Sequence, residues 1–154
     1  MANLKINDQA PAFELKDQNG KMIKLSDYAG KSNIVLFFYP ADYSPGCTAE
    51  ACAFRDNYDV FKENGAEVIG ISMQNENSHK GFITKHGLQF QLLVDENGKT
   101  AEAYGIGKLL GLLPGRVTFV IDKAGVIKNI FSSQIDMNKH VTEAIKIIKE
   151  IKGN

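Results

Sequence analysis

Cys47 and Cys52, five positions apart, are the residues of this chain best suited to chemistry, and they are its only two cysteines. They lie in Tyr39-Pro40-Ala41-Asp42-Tyr43-Ser44-Pro45-Gly46-Cys47-Thr48-Ala49-Glu50-Ala51-Cys52, between an apolar run and a segment of helical character. A cysteine placed where a strand hands over to a helix faces the unpaired N–H groups of the first turn. It also faces the positive end of the helix dipole. Both favour thiolate over thiol, and the thiolate is the nucleophile. Pro40 and Pro45 stiffen the approach, and Gly46 lets the backbone come close to whatever sits above Cys47. The stretch predicts a thiol active site.

The rest of the composition narrows the chemistry. Two cysteines are too few for a disulfide scaffold and too few alone for a structural zinc site. His79, His86 and His140 have no ligand spacing to one another or to a cysteine; His79 could cap or hydrogen-bond near the site, but a solvated helix residue is the favoured reading. Asp95-Glu96-Asn97-Gly98 is a turn without the further ligands of a calcium loop. Lys+Arg and Asp+Glu both number 18 in 154 residues, so no strong field favours nucleic acid or an anionic membrane. The amino terminus has no signal-type apolar segment, and no run approaches the ~20 apolar residues of a membrane span. The expectation is a soluble, cytoplasmic protein with one domain over residues 1–154.

The elements that must position the cysteines follow from periodicity. Pro11 to Leu15, the turn Gln18-Asn19-Gly20-Lys21 and Met22 to Leu25 predict an N-terminal hairpin. Ser26 to Gly30 reads as a turn or short helical piece. Asn33 to Tyr39 is near-continuously apolar, as for a central strand covered on both faces. Thr48 to Lys62 predicts a helix, with Cys47, Ala51, Phe54, Tyr58 and Phe61 at apolar spacing and Glu50 as a first-turn charge. Asn64-Gly65 stops it. Strands are expected at 67–72, 90–94, 116–122 and 126–131, and helices at 78–86 and 99–104. A terminal helix over 136–152 carries Met137, Val141, Ala144, Ile145, Ile148 and Ile151 on one face. Gly105 to Gly115 is a glycine-rich loop whose leucines, Leu109, Leu110, Leu112 and Leu113, could be core, a pocket wall or a docking patch. The fold class is α/β with a central mixed sheet flanked by helices.

Pro40-x-x-x-Ser44-x-x-Cys47 resembles the active-site loop of peroxiredoxins, thiol peroxidases on the thioredoxin fold. Cys47 with Cys52 inside Gly46-Cys47-Thr48-Ala49-Glu50-Ala51-Cys52-Ala53-Phe54-Arg55-Asp56 is similar to the bacterioferritin-comigratory/peroxiredoxin Q branch. Ser72, Ser78-His79, Phe90 to Asp95, Pro114 to Asp122 and the tail from Gln134 to Ile148 extend the resemblance over most of the chain. It implies a thioredoxin-like fold, with Cys47 as the peroxidatic cysteine and Cys52 as the resolving one. Pro40 would shield the thiolate, Ser44 would hydrogen-bond peroxide and thiolate, and Arg116 would set positive charge beside the sulfur. Ser44 stands where the family more usually has threonine, so the hydroxyl remains without the methyl that fixes its rotamer. The resemblance further implies a hydroperoxide substrate, a thioredoxin or similar dithiol reductant, and a monomer or at most a weak dimer.

The chemistry is self-consistent. Attack of a thiolate on an O–O bond leaves a sulfenic acid. An arginine, permanently protonated with donors in a fixed fork, and a hydroxyl that donates and accepts suit the charge that moves. Preset donors stabilise that charge, so the reaction requires no metal or organic cofactor. If one helix carries both cysteines, their Cα atoms are about 8.6 Å apart, beyond the ~7 Å limit for a disulfide. A bond between them then demands local unwinding. Two readings compete: a thiol–disulfide oxidoreductase, disfavoured because four residues rather than two separate the cysteines, and a redox sensor or holdase acting through Cys47. Cys52 also stays open as an inert small residue, and Arg116, on residue type alone, as a surface arginine.

Overall fold

The computed structural model describes residues 4–109 and 113–152, with side chains outside 108–114. The hairpin forms as expected: β1 (Glu14–Lys16) pairs antiparallel with β2 (Met22–Lys24), and a 3₁₀ turn, Leu25–Tyr28, follows. Next comes β3 (Asn33–Phe38), buried at every position. Its continuous apolar run has no solvent face to leave polar.

The helix expected over 48–62 begins earlier and breaks. Helix α1 spans Pro45–Asp56 and α2 spans Tyr58–Glu63. Pro45 takes the first helical position, where its missing N–H costs nothing, and Ser44 caps the helix. At Asn57 the backbone leaves helical geometry (φ −110°, ψ 10°), and its Nδ2 donates to Ala53 O at 2.9 Å. Short polar side chains compete with the helix ladder in this way.

Strand β4 (Ala66–Ser72) follows, then α3 (Glu76–His86), capped by Asn75 and ended by Gly87 in the left-handed region at φ +62°. After β5 (Gln91–Val94) and α4 (Lys99–Ala103), the glycine-rich segment contributes a two-residue ribbon, β6 (Lys108–Leu109) with β7 (Leu113–Pro114). Leu110 and Leu112, and the side chains that would decide between core, pocket wall and docking patch, lie outside the described residues. Strands β8 (Val117–Ile121) and β9 (Ile127–Ser132) pair with a bulge at Val120/Ile121, and α5 (Met137–Lys152) closes the fold.

The five-stranded sheet has the order β5-β4-β3-β8-β9, with β3, β4 and β5 parallel and β8 antiparallel to both neighbours. It is the mixed sheet the sequence implies. Alternation along β3 divides the core between two faces. Val35 and Phe37 pack with Phe54, Phe61, Phe82 and Ile148 under α1, α2, α3 and α5. Ile34, Leu36 and Phe38 pack with Phe13, Ile23, Tyr104 and Phe119 on the hairpin side. Helix α5 buries His140, Val141, Ala144 and Ile148 as one stripe. Among the described residues no helix is long and apolar enough to cross a membrane.

Candidate active site

The loop from Tyr39 to Ser44 carries the chain off the carboxyl end of β3 and into α1. Pro40, half-buried, directly follows the strand region, and Tyr43 turns with φ +66°. Ser44 is the N-cap: its Oγ accepts from Cys47 N–H at 3.3 Å and donates to Ala41 O at 3.2 Å. Those two bonds fix the hydroxyl that has no methyl to fix it. Cys47 is therefore the third residue of α1, inside the first turn rather than ahead of it, and its side chain is 1% exposed.

Arg116 immediately precedes β8 and is buried, not solvated. Its main chain is held by Gln134, whose Oε1 accepts from Arg116 N–H at 3.2 Å. From there the side chain reaches back to α1, where Nη1 lies 3.3 Å from Cys47 Sγ and 2.9 Å from Glu50 Oε1. Gly46 makes room: a Cβ there would stand 2.9 Å from both Arg116 Nη2 and Met137 Cε. The guanidinium loses solvation by burial, but Glu50 and Cys47 more than offset this and hold it protonated.

Glu50 corrects the sequence reading, which made it a first-turn charge. It lies a turn deeper, wholly buried, on the Cys47 side of the helix. Burial pushes its carboxyl up to about 7, against the pull of Arg116. Its Oε2 has no hydrogen-bond partner. His140 Nδ1 stands 3.5 Å from it. The imidazole is fully buried; Nε2 faces the Ser133 carbonyl at 2.8 Å, which can only accept, so Nε2 carries the proton. Nδ1 then accepts from Thr118 Oγ1 at 2.8 Å. Burial, with Arg116 nearby, lowers the proton affinity of this ring.

A second buried network anchors the loop itself. Asp42 Oδ1 accepts from Tyr39 OH at 2.6 Å, and Oδ2 accepts from Ser78 Oγ at 2.7 Å. His79 Nδ1 stands 2.7 Å from the same Oδ2, and Nε2 is 2.9 Å from Leu93 O. Burial alone would raise the Asp42 carboxyl; the hydrogen bond and charge of His79, then Tyr39 and Ser78, outweigh it and hold it below the ordinary range. Both ring nitrogens of His79 face acceptors, the Asp42 carboxylate on one side and the Leu93 carbonyl on the other. His79 is fully buried, which overturns its reading as a solvated residue.

Cys52 lies farther along the same unbroken α1, half-buried, and both cysteines are free thiols. Among the described residues no group of three His, Cys, Asp or Glu side chains is arranged to hold a metal ion. The cluster brings together Ser44, Cys47 and Arg116 by direct contact, with Pro40 on the same loop and Cys52 on the same helix. Sequence reasoning missed Glu50, Asp42 and His140 as parts of it, and ranked a hydrogen-bonding role for His79 second. For Glu50 the signal was present: three residues on from Cys47, it shares that helix face.

Comparison with known proteins places the chain in a family. The AhpC/TSA family model matches residues 6–130. A chloroplastic peroxiredoxin Q of Sedum lineare is 48% identical over 143 residues, covering 92% of this chain and 76% of the relative. The chain belongs to the AhpC/TSA family, in its peroxiredoxin Q branch. The peroxiredoxin Q of Triticum aestivum is 51% identical over 142 residues, and there the chain spans only 65% of the relative's length. The solved structure of the peroxidoxin BcpB of Mycobacterium tuberculosis superposes with a TM-score of 0.90 at 37% identity, covering 97% of this chain and 99% of that one. A peroxiredoxin Q mutant from Xylella fastidiosa gives 0.88 at 26% identity, covering 98% and 99%. These relatives carry the thioredoxin-like peroxiredoxin fold with its mixed sheet, as the sequence implied. One expectation fails: the curated peroxiredoxin Q relatives are named as chloroplastic, which overturns the cytoplasmic assignment. Composition does not report compartment.

Proposed function

We propose that this chain, as a single thioredoxin-like domain over residues 1–154, is a thiol-dependent peroxidase that reduces hydrogen peroxide and organic hydroperoxides. The observation that carries the reading is the Arg116 guanidinium 3.3 Å from a buried cysteine sulfur in the first turn of a helix. Cys47 as thiolate attacks the terminal oxygen of the hydroperoxide: the S–O bond forms, the O–O bond breaks, and the alkoxide or hydroxide leaves and takes up a proton from water. Arg116 offers charge and donors to the sulfur and to the oxygens, while Ser44, at the helix cap, lies within reach of the same space. Pro40 limits access from the loop side.

Cys52 then closes on the Cys47 sulfenic acid as an intramolecular disulfide, which a thioredoxin-type dithiol protein reduces. The chain acts as a monomer or weak dimer in this cycle. A solved relative from Xanthomonas campestris, 25% identical, is described by its alkyl peroxide reduction activity, and this supports organic hydroperoxides as a substrate class.

The test is the intact mass of the fully reduced protein after one equivalent of hydrogen peroxide, without added thiol. Loss of two hydrogens, with Cys47 and Cys52 joined on peptide mapping, is the expected result. Oxygen gained on Cys47 alone would make Cys52 structural and require an external thiol. An unchanged mass would overturn the peroxidase reading.

A further inference from the structure

Cys52 has a partner from another element. Its Sγ lies 3.8 Å from Nδ1 of His86, the last residue of α3 and 34 positions away in the chain. That approach is within hydrogen-bonding range for sulfur. The pair is held in place without using the imidazole nitrogens. Arg55 Nη1 donates to His86 O at 2.8 Å, and Gln89 Nε2 donates to Arg55 O at 3.3 Å. Phe82 meets the imidazole edge to face, with centroids 5.1 Å apart and planes at 74°. The end of α3 is thus tied to the last turn of α1, leaving Nδ1 facing the thiol. Nothing in the chemistry at Cys47 uses this contact.

We propose that His86 is the base that takes the thiol proton of Cys52 for the resolving step. The inference rests on the two-cysteine reading above. Nδ1 accepts the proton while α1 is folded, and Cys52 leaves the helix as a thiolate and attacks the Cys47 sulfenic sulfur. The S–S bond forms and the S–O bond breaks. Cys52 sulfur is oxidised and the sulfenic sulfur reduced. Hydroxide leaves and becomes water with the proton returned by the imidazolium. An ordinary free thiol is only about 3% ionised at pH 7, so a base that raises this fraction can accelerate the step by about 30-fold at most.

The chain has no tryptophan, so the two steps are read by rapid mixing with hydrogen peroxide, acid quench, alkylation and mass. In H86Q and H86G, sulfenic acid formation on Cys47 should stay within about twofold of the unmodified protein. Disulfide formation should slow by about five- to 30-fold. Added imidazole should restore much of the loss in H86G, which a purely structural role of His86 would not allow. Disulfide formation at the original rate in both variants overturns the proposal, and so does slowing that imidazole does not relieve. If the unmodified protein forms no bond between Cys47 and Cys52, the two-cysteine reading itself falls and this inference with it. If it does, and the variants match it, only the role of His86 falls.

Discussion

Arg116 and Cys47 are 69 residues apart in the chain, and Nη1 of one lies 3.3 Å from Sγ of the other. The same Nη1 is also 2.9 Å from Glu50 Oε1. A single guanidinium therefore divides its charge between a sulfur that must be anionic to react and a carboxylate buried beneath it. Whatever displaces Arg116 from that pair alters both the proposed nucleophile and the cost of burying Glu50.

Replacement of Arg116 by lysine keeps a charge but loses the planar fork. We expect R116K to reduce the rate of Cys47 oxidation by peroxide by about 10²-fold, in the range for losing one preset donor to a developing charge. R116M should lose more. Quenched-flow mass measurement of sulfenic acid formation checks this, and a rate within threefold of the unmodified protein in R116K would remove Arg116 from the chemistry.

Glu50 gives the stability a specific pH dependence. Its carboxyl is raised from 4.5 to about 7 on folding, so the folded state binds this proton more tightly than the unfolded one. The contribution is therefore fully present below pH 4.5 and is lost as pH rises to about 7, a change of roughly 3 kcal/mol. His140, whose proton affinity burial lowers, acts in the opposite sense, losing stability as pH falls below its ordinary value. The difference between E50Q and the unmodified protein isolates Glu50. The two should match in urea unfolding near pH 4.5, with E50Q the more stable by up to about 3 kcal/mol at pH 8.

How much of this was legible beforehand follows from the range of each interaction. The hairpin, the buried β3 and the stripe of α5 were readable because their signals are local periodicities. The start of α1 was misplaced by three residues because the cap signal, Ser44-Pro45, was read as loop stiffening. The break at Asn57 came from a side chain bonding back to Ala53 O, which periodicity does not register. His79 was misjudged, and the burial of His140 went unread, for a different reason. Their partners, Asp42 and Thr118, lie 37 and 22 residues away, and one sequence carries no pairing information at that separation. Arg116 was legible only through family resemblance, since residue type alone favours the surface.

Gly46 separates local stability from site geometry. In the first turn of α1, alanine is the better helix former by about 0.8–1 kcal/mol. Yet its Cβ would lie 2.9 Å from Arg116 Nη2 and from Met137 Cε. Both are ends of long side chains that can shift, so G46A should fold with stability near that of the unmodified protein. Its Cys47 should nevertheless react at least about tenfold more slowly, because the shift moves the guanidinium. Thermal unfolding and peroxide kinetics on the same sample test the dissociation of the two effects.

Asp42 holds the loop to α3 through Ser78 and His79. Replacing the carboxylate leaves donors of this buried network under-satisfied, at a cost of about 1–3 kcal/mol. D42N should be destabilised by that order in urea. Because the Asp42 carboxyl is held below its ordinary range, its stabilisation is present above about pH 4 and is lost as pH falls further. The stability of D42N should accordingly fall less steeply on acidification. An unchanged acid slope would mean that the carboxylate is not what the histidine stabilises.

Helix α1 runs unbroken from Pro45 to Asp56 with both cysteines in it. Five helical residues place their Cα atoms about 8.6 Å apart, and bridging needs less than about 7 Å. The Cys47–Cys52 disulfide of the proposed cycle therefore cannot form on this helix as it stands. The ties that must yield are the Ser44 cap at one end and the Arg55–His86 carbonyl bond near the other. Amide exchange over residues 46–56 should be markedly faster in the disulfide form than in the reduced form, while β3 and β4 stay protected in both. Identical exchange in the two forms, with the disulfide verified by mass, would contradict the unwinding. In C52S the disulfide cannot form, and peroxide-treated C52S should keep the slow exchange of the reduced helix, with oxygen on Cys47 as the sole mass change.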